Sequence, residues 1–139
     1  MVNALGRHVL LELSGCPYAL LNDLDFIRNS LIKAAERANV TVISENFSRF
    51  NPHGISGVLV IAESHISIHT WPEYDYAAID IFTCGDTALP DRAVEYLIEA
   101  FRPGEHRNYV VSRGIMRQDV PSARCEFEEG RDQVAASTI

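Results

Sequence analysis

Between Ala62 and Glu73 the chain reads Ala-Glu-Ser-His-Ile-Ser-Ile-His-Thr-Trp-Pro-Glu, which places two histidines, two serines, two carboxylates and the single Trp within twelve positions. Alternation puts Ile66 and Ile68 on one side of a strand and His65, Ser67, His69 and Trp71 on the other. The outer side of such a strand ordinarily carries Lys, Glu and Thr. Imidazole, hydroxyl and indole in their place point to the wall of a site.

Three chemistries fit these side chains. A metal would need His65 and His69 on one ion, but on a strand four residues separate them by about 13 Å at roughly 3.3 Å per residue, so no metal is expected. A Ser–His–Asp hydrolase has candidates in Ser64 and in Asp75 or Asp80, yet Ser64 lacks the Gly-x-Ser-x-Gly elbow and nothing local builds an oxyanion hole. The third uses the backbone. A Ser hydroxyl can attack the carbonyl of the preceding residue where the peptide is strained and a base accepts its proton, and elimination then breaks the chain. A Glu-Ser-His tripeptide does not by itself select this route.

The elements that must hold these residues follow from periodicity. Arg7–Leu13, Val40–Phe50, Ser56–Ala62, Tyr76–Cys84 and His106–Arg113 read as strands, and the third, almost continuously apolar, is expected to be buried on both faces. The central stretch is expected to continue the third strand in the same direction, with a break or bulge near Glu63–Ser64. Leu20 to Ala38 carries helical spacing, as does Pro90–Phe101 with Pro90 suited to a first turn. Helices with one apolar face each predict a two-layer α+β sandwich, a mostly antiparallel β-sheet covered by two helices. Two helices leave one sheet face undercovered, so pairing with a second copy is expected. A single domain spans residues 1–114, and 115–139 reads as a loosely held tail.

Composition narrows the class. The chain has 139 residues, 47% hydrophobic and 22% charged, enough for one core but small enough for a site to be completed by a partner. A formal net charge of −7 without a Lys/Arg cluster argues against nucleic acid and anionic membrane. Three scattered cysteines, Cys16, Cys84 and Cys125, form neither a disulfide framework nor a Cys-x-x-Cys motif. With no apolar run of about 18 residues and no secretory pattern, a cytoplasmic protein is expected.

Four motifs then stand in order: Leu-Gly-Arg-His (Leu5–His8), Arg-Phe-x-Pro-x-Gly-x-Ser-Gly (Arg49–Gly57), Glu-Ser-His-x-x-Ile-His-Thr-Trp-Pro-Glu (Glu63–Glu73) and Ala-Ala-Ile-Asp-x-Phe-Thr-Cys-Gly (Ala77–Gly85). Together they resemble the small prokaryotic S-adenosylmethionine decarboxylases, pyruvoyl-dependent enzymes of spermidine and polyamine biosynthesis. The resemblance implies cleavage between Glu63 and Ser64, with Ser64 becoming the pyruvoyl cofactor in place of pyridoxal phosphate or a metal. It implies that His69, assisted by Ser56, serves this maturation, and that Cys84 returns a proton to the substrate carbon after carbon dioxide leaves. Phe50 and Trp71 match pocket aromatics, Glu73 matches the carboxylate that holds the ribose hydroxyls, and the family works as a homodimer of cleaved protomers.

These roles make physical sense. A ketone in the chain can take the substrate amine as a Schiff base and accept the electrons of decarboxylation. A thiol with an ordinary pKa near 8.5 is a reasonable proton donor. A sulfonium over an aromatic face gains roughly 0.5–2 kcal/mol. The alternative on the same scaffold is a pyruvoyl-dependent arginine or ornithine decarboxylase; Phe50, Trp71 and Glu73 favour the nucleoside. A non-catalytic relative is disfavoured by Ser64, His69 and Cys84 standing together. Cys16, Cys125, His53 and His106 are read as structural, and Glu12 is noted without a role.

Overall fold

The computed structural model describes residues 3–115. The alternating stretches form β1 (Ala4–Ser14), β2 (Thr41–Arg49), β3 (Ile55–Ala62), β4 (Ser64–Trp71), β5 (Tyr76–Cys84) and β6 (Glu105–Ile115). They make one sheet in the order β2-β3-β4-β5-β1-β6 with every neighbouring pair antiparallel. The α+β architecture is as expected. The helices are α1 (Tyr18–Leu21), α2 (Leu24–Arg37) and α3 (Pro90–Phe101).

The amphipathic run from Leu20 to Ala38 is broken, not continuous. Asn22 and Asp23 separate α1 from α2 because the Asp23 carboxylate accepts the Phe26 amide at 3.0 Å and caps α2. From there α2 turns Ile27, Leu31 and Ala34 inward, and α3 turns Ala93, Leu97 and Phe101 inward, against Val9, Leu11, Ile66, Ile68, Ile79 and Ile81 of the sheet. Each fully buried Leu or Ile contributes about 1.5–3 kcal/mol, so this layer fixes which face of every strand looks to the core. By alternation the opposite face carries His8, Glu12, Ser56, His65, His69, Trp71, Tyr76, Asp80 and Cys84. Since α2 and α3 both pack on the core side, that face is open among the described residues.

Two expectations are corrected. β3 is buried on one face only: Leu59 and Ile61 are in the core, whereas Val60 on the open face is 42% exposed. An apolar run on a half-open strand gives the same signature as a fully buried one. Nor does the central stretch prolong β3. The chain reverses at Ala62–Glu63, and Ile61 pairs with Ser64, Val60 with His65 and Ser56 with His69. No Gly, Pro, Asn or Asp marks that turn, so turn chemistry did not reveal it.

β6 reaches Ile115, one residue beyond the expected domain end. The rest of the expected tail, with Cys125, lies outside the described residues. No helix among the described residues is long and apolar enough to cross a membrane.

Candidate active site

Ser64 opens β4 directly after the two-residue turn. Its φ is +100°, in the region that favours glycine. A non-glycine residue held there costs on the order of 1–3 kcal/mol, so the Glu63–Ser64 peptide adjoins a strained backbone position. Register sets Ser64 opposite Thr83 of β5, and Cys84 is the next residue along. Cys84 is half-buried at the strand end and lies against Gly6 of β1. A Cβ on Gly6 would come within 2.7 Å of Phe82 Cε2 and 2.9 Å of Cys84 Sγ, so the missing side chain makes room for both. A serine that could become a ketone and a thiol that could donate a proton thus share one end of the sheet.

Behind this end sit His8, His65 and Asp80, whose donor atoms all lie within 4.8 Å of one another. Arg113 crosses them, its guanidinium 4.5 Å over the Phe82 ring and its Nη1 3.4 Å from His8 Nδ1. A guanidinium only donates, so the hydrogen-bond network assigns the His8 proton to Nε2, which is buried and 3.8 Å from Asp80 Oδ2. A nitrogen bearing a proton beside a fixed cation suits a charge cluster better than a metal. Desolvation lowers the pKa of His65; the Asp80 charge opposes that shift, while His8 and Arg113 add to it.

The other end of β4 holds the second group. Ser56 Oγ and His69 Nδ1 are 2.9 Å apart across the β3–β4 pair. Trp71, two residues on and 40% exposed, stacks on Tyr76 at 5.4 Å and 26°. Tyr76 in turn donates to the Glu12 carboxylate, and burial, followed by that bond and the Glu12 charge, pushes its phenol up to about 12. Phe50, 53% exposed, leads into the turn between β2 and β3. Glu73 lies on a 3₁₀ turn (Pro72–Tyr74) and accepts a hydrogen bond from His53 Nε2 at 2.6 Å.

The family model described as S-adenosylmethionine decarboxylase matches residues 7–114. A protein of Thermodesulfovibrio yellowstonii named S-adenosylmethionine decarboxylase proenzyme is 50% identical over 128 residues, 90% of this chain and 95% of that one. The chain belongs to the S-adenosylmethionine decarboxylase family. A protein of the same name from Pyrococcus abyssi is 42% identical over 85% of each chain. The crystal structure of the adenosylmethionine decarboxylase from Aquifex aeolicus superposes with a TM-score of 0.80 at 39% identity, covering 86% of this chain and 99% of that one.

Within this family member the expected site residues fall into two groups. Glu63, Ser64 and Cys84 gather at one end; Ser56, His69, Phe50, Trp71 and Glu73 gather at the other. Ser64 and His69 lie on the same strand, about 16 Å apart at roughly 3.3 Å per residue, so the chain does not bring them together. Sequence reasoning read His53, which partners Glu73, as structural, noted Glu12 as an acid candidate without a role, and missed Tyr76, which joins Glu12 to Trp71. The signal available for Tyr76 was its alternation with Asp80 on the open face; His53 sits in an irregular turn that carries no period. Cys16, read as structural, is buried, and desolvation with the Asp75 charge pushes its thiol up to about 11.

Proposed function

We propose that this chain is a self-processing, pyruvoyl-dependent S-adenosylmethionine decarboxylase whose working unit is a pair of copies. The observation that carries the proposal is Ser64, set at a positive φ on a tight turn one register position from Cys84. In maturation Ser64 Oγ attacks the Glu63 carbonyl and turns the amide into an ester. A base then removes the Ser64 α-proton, the Ser64 Cβ–O bond breaks with Glu63 leaving as a carboxylate, and the dehydroalanine left at the new terminus takes up water and releases its nitrogen as ammonia. The resulting pyruvoyl group would supply an electrophilic ketone that accepts the electrons of the breaking carbon–carboxylate bond.

The chain's own residues do the rest. His69, held by Ser56, is the base for the α-proton. Cys84 delivers a proton to the substrate α-carbon once carbon dioxide has left. Phe50 and Trp71 offer aromatic faces to the sulfonium and the adenine, which accounts for large exposed rings at that end. Glu73 accepts the ribose hydroxyls. The product is the aminopropyl donor for polyamine synthesis.

The separation of the two groups along β4, and the open sheet face between them, support a homodimer in which Ser64 of one protomer meets His69 of the partner subunit. Co-expression tests this. Chains carrying Ser64→Ala and chains carrying His69→Ala are each expected to be inactive, and together to recover carbon dioxide release from S-adenosylmethionine through mixed dimers. If the mixture stays inactive, sites are built within one chain and the pairing is wrong.

A further inference from the structure

His53 links the side chains of two loops near the candidate site. One is the turn between β2 and β3 that also carries Phe50; the other is the 3₁₀ turn that carries Glu73. Its Nε2 lies 2.6 Å from Glu73 Oε2, and its Nδ1 faces the Tyr18 hydroxyl at 3.4 Å. One neutral tautomer satisfies both contacts: Nε2–H donates to the carboxylate and Nδ1 accepts from Tyr18. The His53 turn is itself braced. Phe50 N donates to Gly54 O at 2.8 Å, Gly54 N donates to Asn22 Oδ1 at 3.2 Å, and Arg49 Nη1 donates to Asn22 O at 2.9 Å.

Among the described residues the bond from His53 is the one that Glu73 accepts, and it occupies Oε2. A carboxylate gripped at one oxygen keeps its plane, and it still presents Oε1 and a second lone pair of Oε2 to other donors. A vicinal diol offers two O–H donors at that spacing. We infer that His53 is a positioning residue for the ribose diol of S-adenosylmethionine: it orients the Glu73 carboxylate through Nε2–H, with Tyr18 holding the ring. This inference rests on the reading that Glu73 binds the ribose. His53 touches no reacting atom, so its loss acts on substrate affinity and not on the chemical step.

The test is steady-state kinetics on the cleaved enzyme, with S-adenosylmethionine and with its analogue lacking the ribose 2′-hydroxyl. His53→Ala should raise KM for S-adenosylmethionine about tenfold with kcat held, the factor expected for one hydrogen bond to a charged acceptor. His53→Gln, whose amide can still donate, should recover most of the loss. On the 2′-deoxy analogue His53→Ala should lose little further, because one of the hydroxyls that Glu73 would accept is already gone. Tyr18→Phe should give a smaller rise of the same kind. If Glu73→Gln raises KM while His53→Ala and His53→Gln both leave it unchanged, the positioning role is overturned and the ribose contact stands. If Glu73→Gln itself leaves KM unchanged, the ribose reading fails and the inference with it. An equal penalty on both substrates would make His53 a general support of the loop and would overturn the inference as well.

Discussion

Cys84 and His65 are the side chains whose roles can be separated by their surroundings alone. On the proposed reading Cys84, beside Ser64 by register, returns a proton to the substrate while His69 serves maturation, so Cys84→Ala should still cleave while turnover falls by about 100-fold or more, the usual worth of a positioned acid. A denaturing gel and a carbon dioxide assay on the same preparation check both halves of that statement. His65 gives a pH signature. Its folded pKa lies below the ordinary 6.5 because burial disfavours the imidazolium. The unfolded chain therefore takes up the proton first. The stability His65 contributes is present above about pH 6.5 and is lost as pH falls from there through its lower folded value. Urea midpoints measured from pH 8 to pH 5 should fall less steeply for His65→Asn than for the unaltered protein.

At the level of elements, the hairpin of β3 and β4 organises the candidate site, and a single buried hydroxyl fastens its far end. Thr70 Oγ1 accepts the Ile55 amide at 2.9 Å and donates to the Leu21 carbonyl at 2.8 Å, tying β4 to β3 and to α1. Thr70→Val keeps the shape but leaves both backbone groups buried without that partner, so it should cost about 2–6 kcal/mol, at roughly 1–3 kcal/mol for each unsatisfied group. Thermal melting checks this. A cost below 1 kcal/mol would mean that the two ends are held by other contacts.

The hairpin also marks where sequence reading stopped. The alternation of Ile66 and Ile68 with His65, Ser67 and His69 gave the right faces of β4, because burial of alternate residues imprints a period of two. The reversal at Ala62–Glu63 left no such imprint. Its residues are ordinary, and its positive φ sits on Ser64, where the motif points to chemistry and not to a turn. The pairing of Ser56 with His69 depends on that reversal, so their partnership came from the resemblance and not from spacing. The split of α1 from α2 was hidden for a similar reason: Asp23 fits the polar side of a helix as well as it fits a cap.

For the whole molecule, the open sheet face is the consequence of having α2 and α3 on one side. It is apolar at Val60, aromatic at Trp71 and charged at Glu12 and Asp80. A face of that composition is suited to being covered, and a second copy would bring the Ser64 end and the His69 end of two chains into one place. The network of Trp71, Tyr76 and Glu12 at the His69 end would then lie in the interior of the pair, where a phenol pushed up to about 12 remains a hydrogen-bond donor at any working pH. Burial of the face would also relieve the exposure of Trp71.

The most direct test of the central claim is an intact-mass spectrum of purified, active protein. The account predicts two chains that break between Glu63 and Ser64, the C-terminal one lacking a free amine and gaining the mass of a carbonyl reagent at its first residue. It also predicts one unbroken, inactive chain for Ser64→Ala. Activity from a single chain with the Glu63–Ser64 peptide intact would contradict the account.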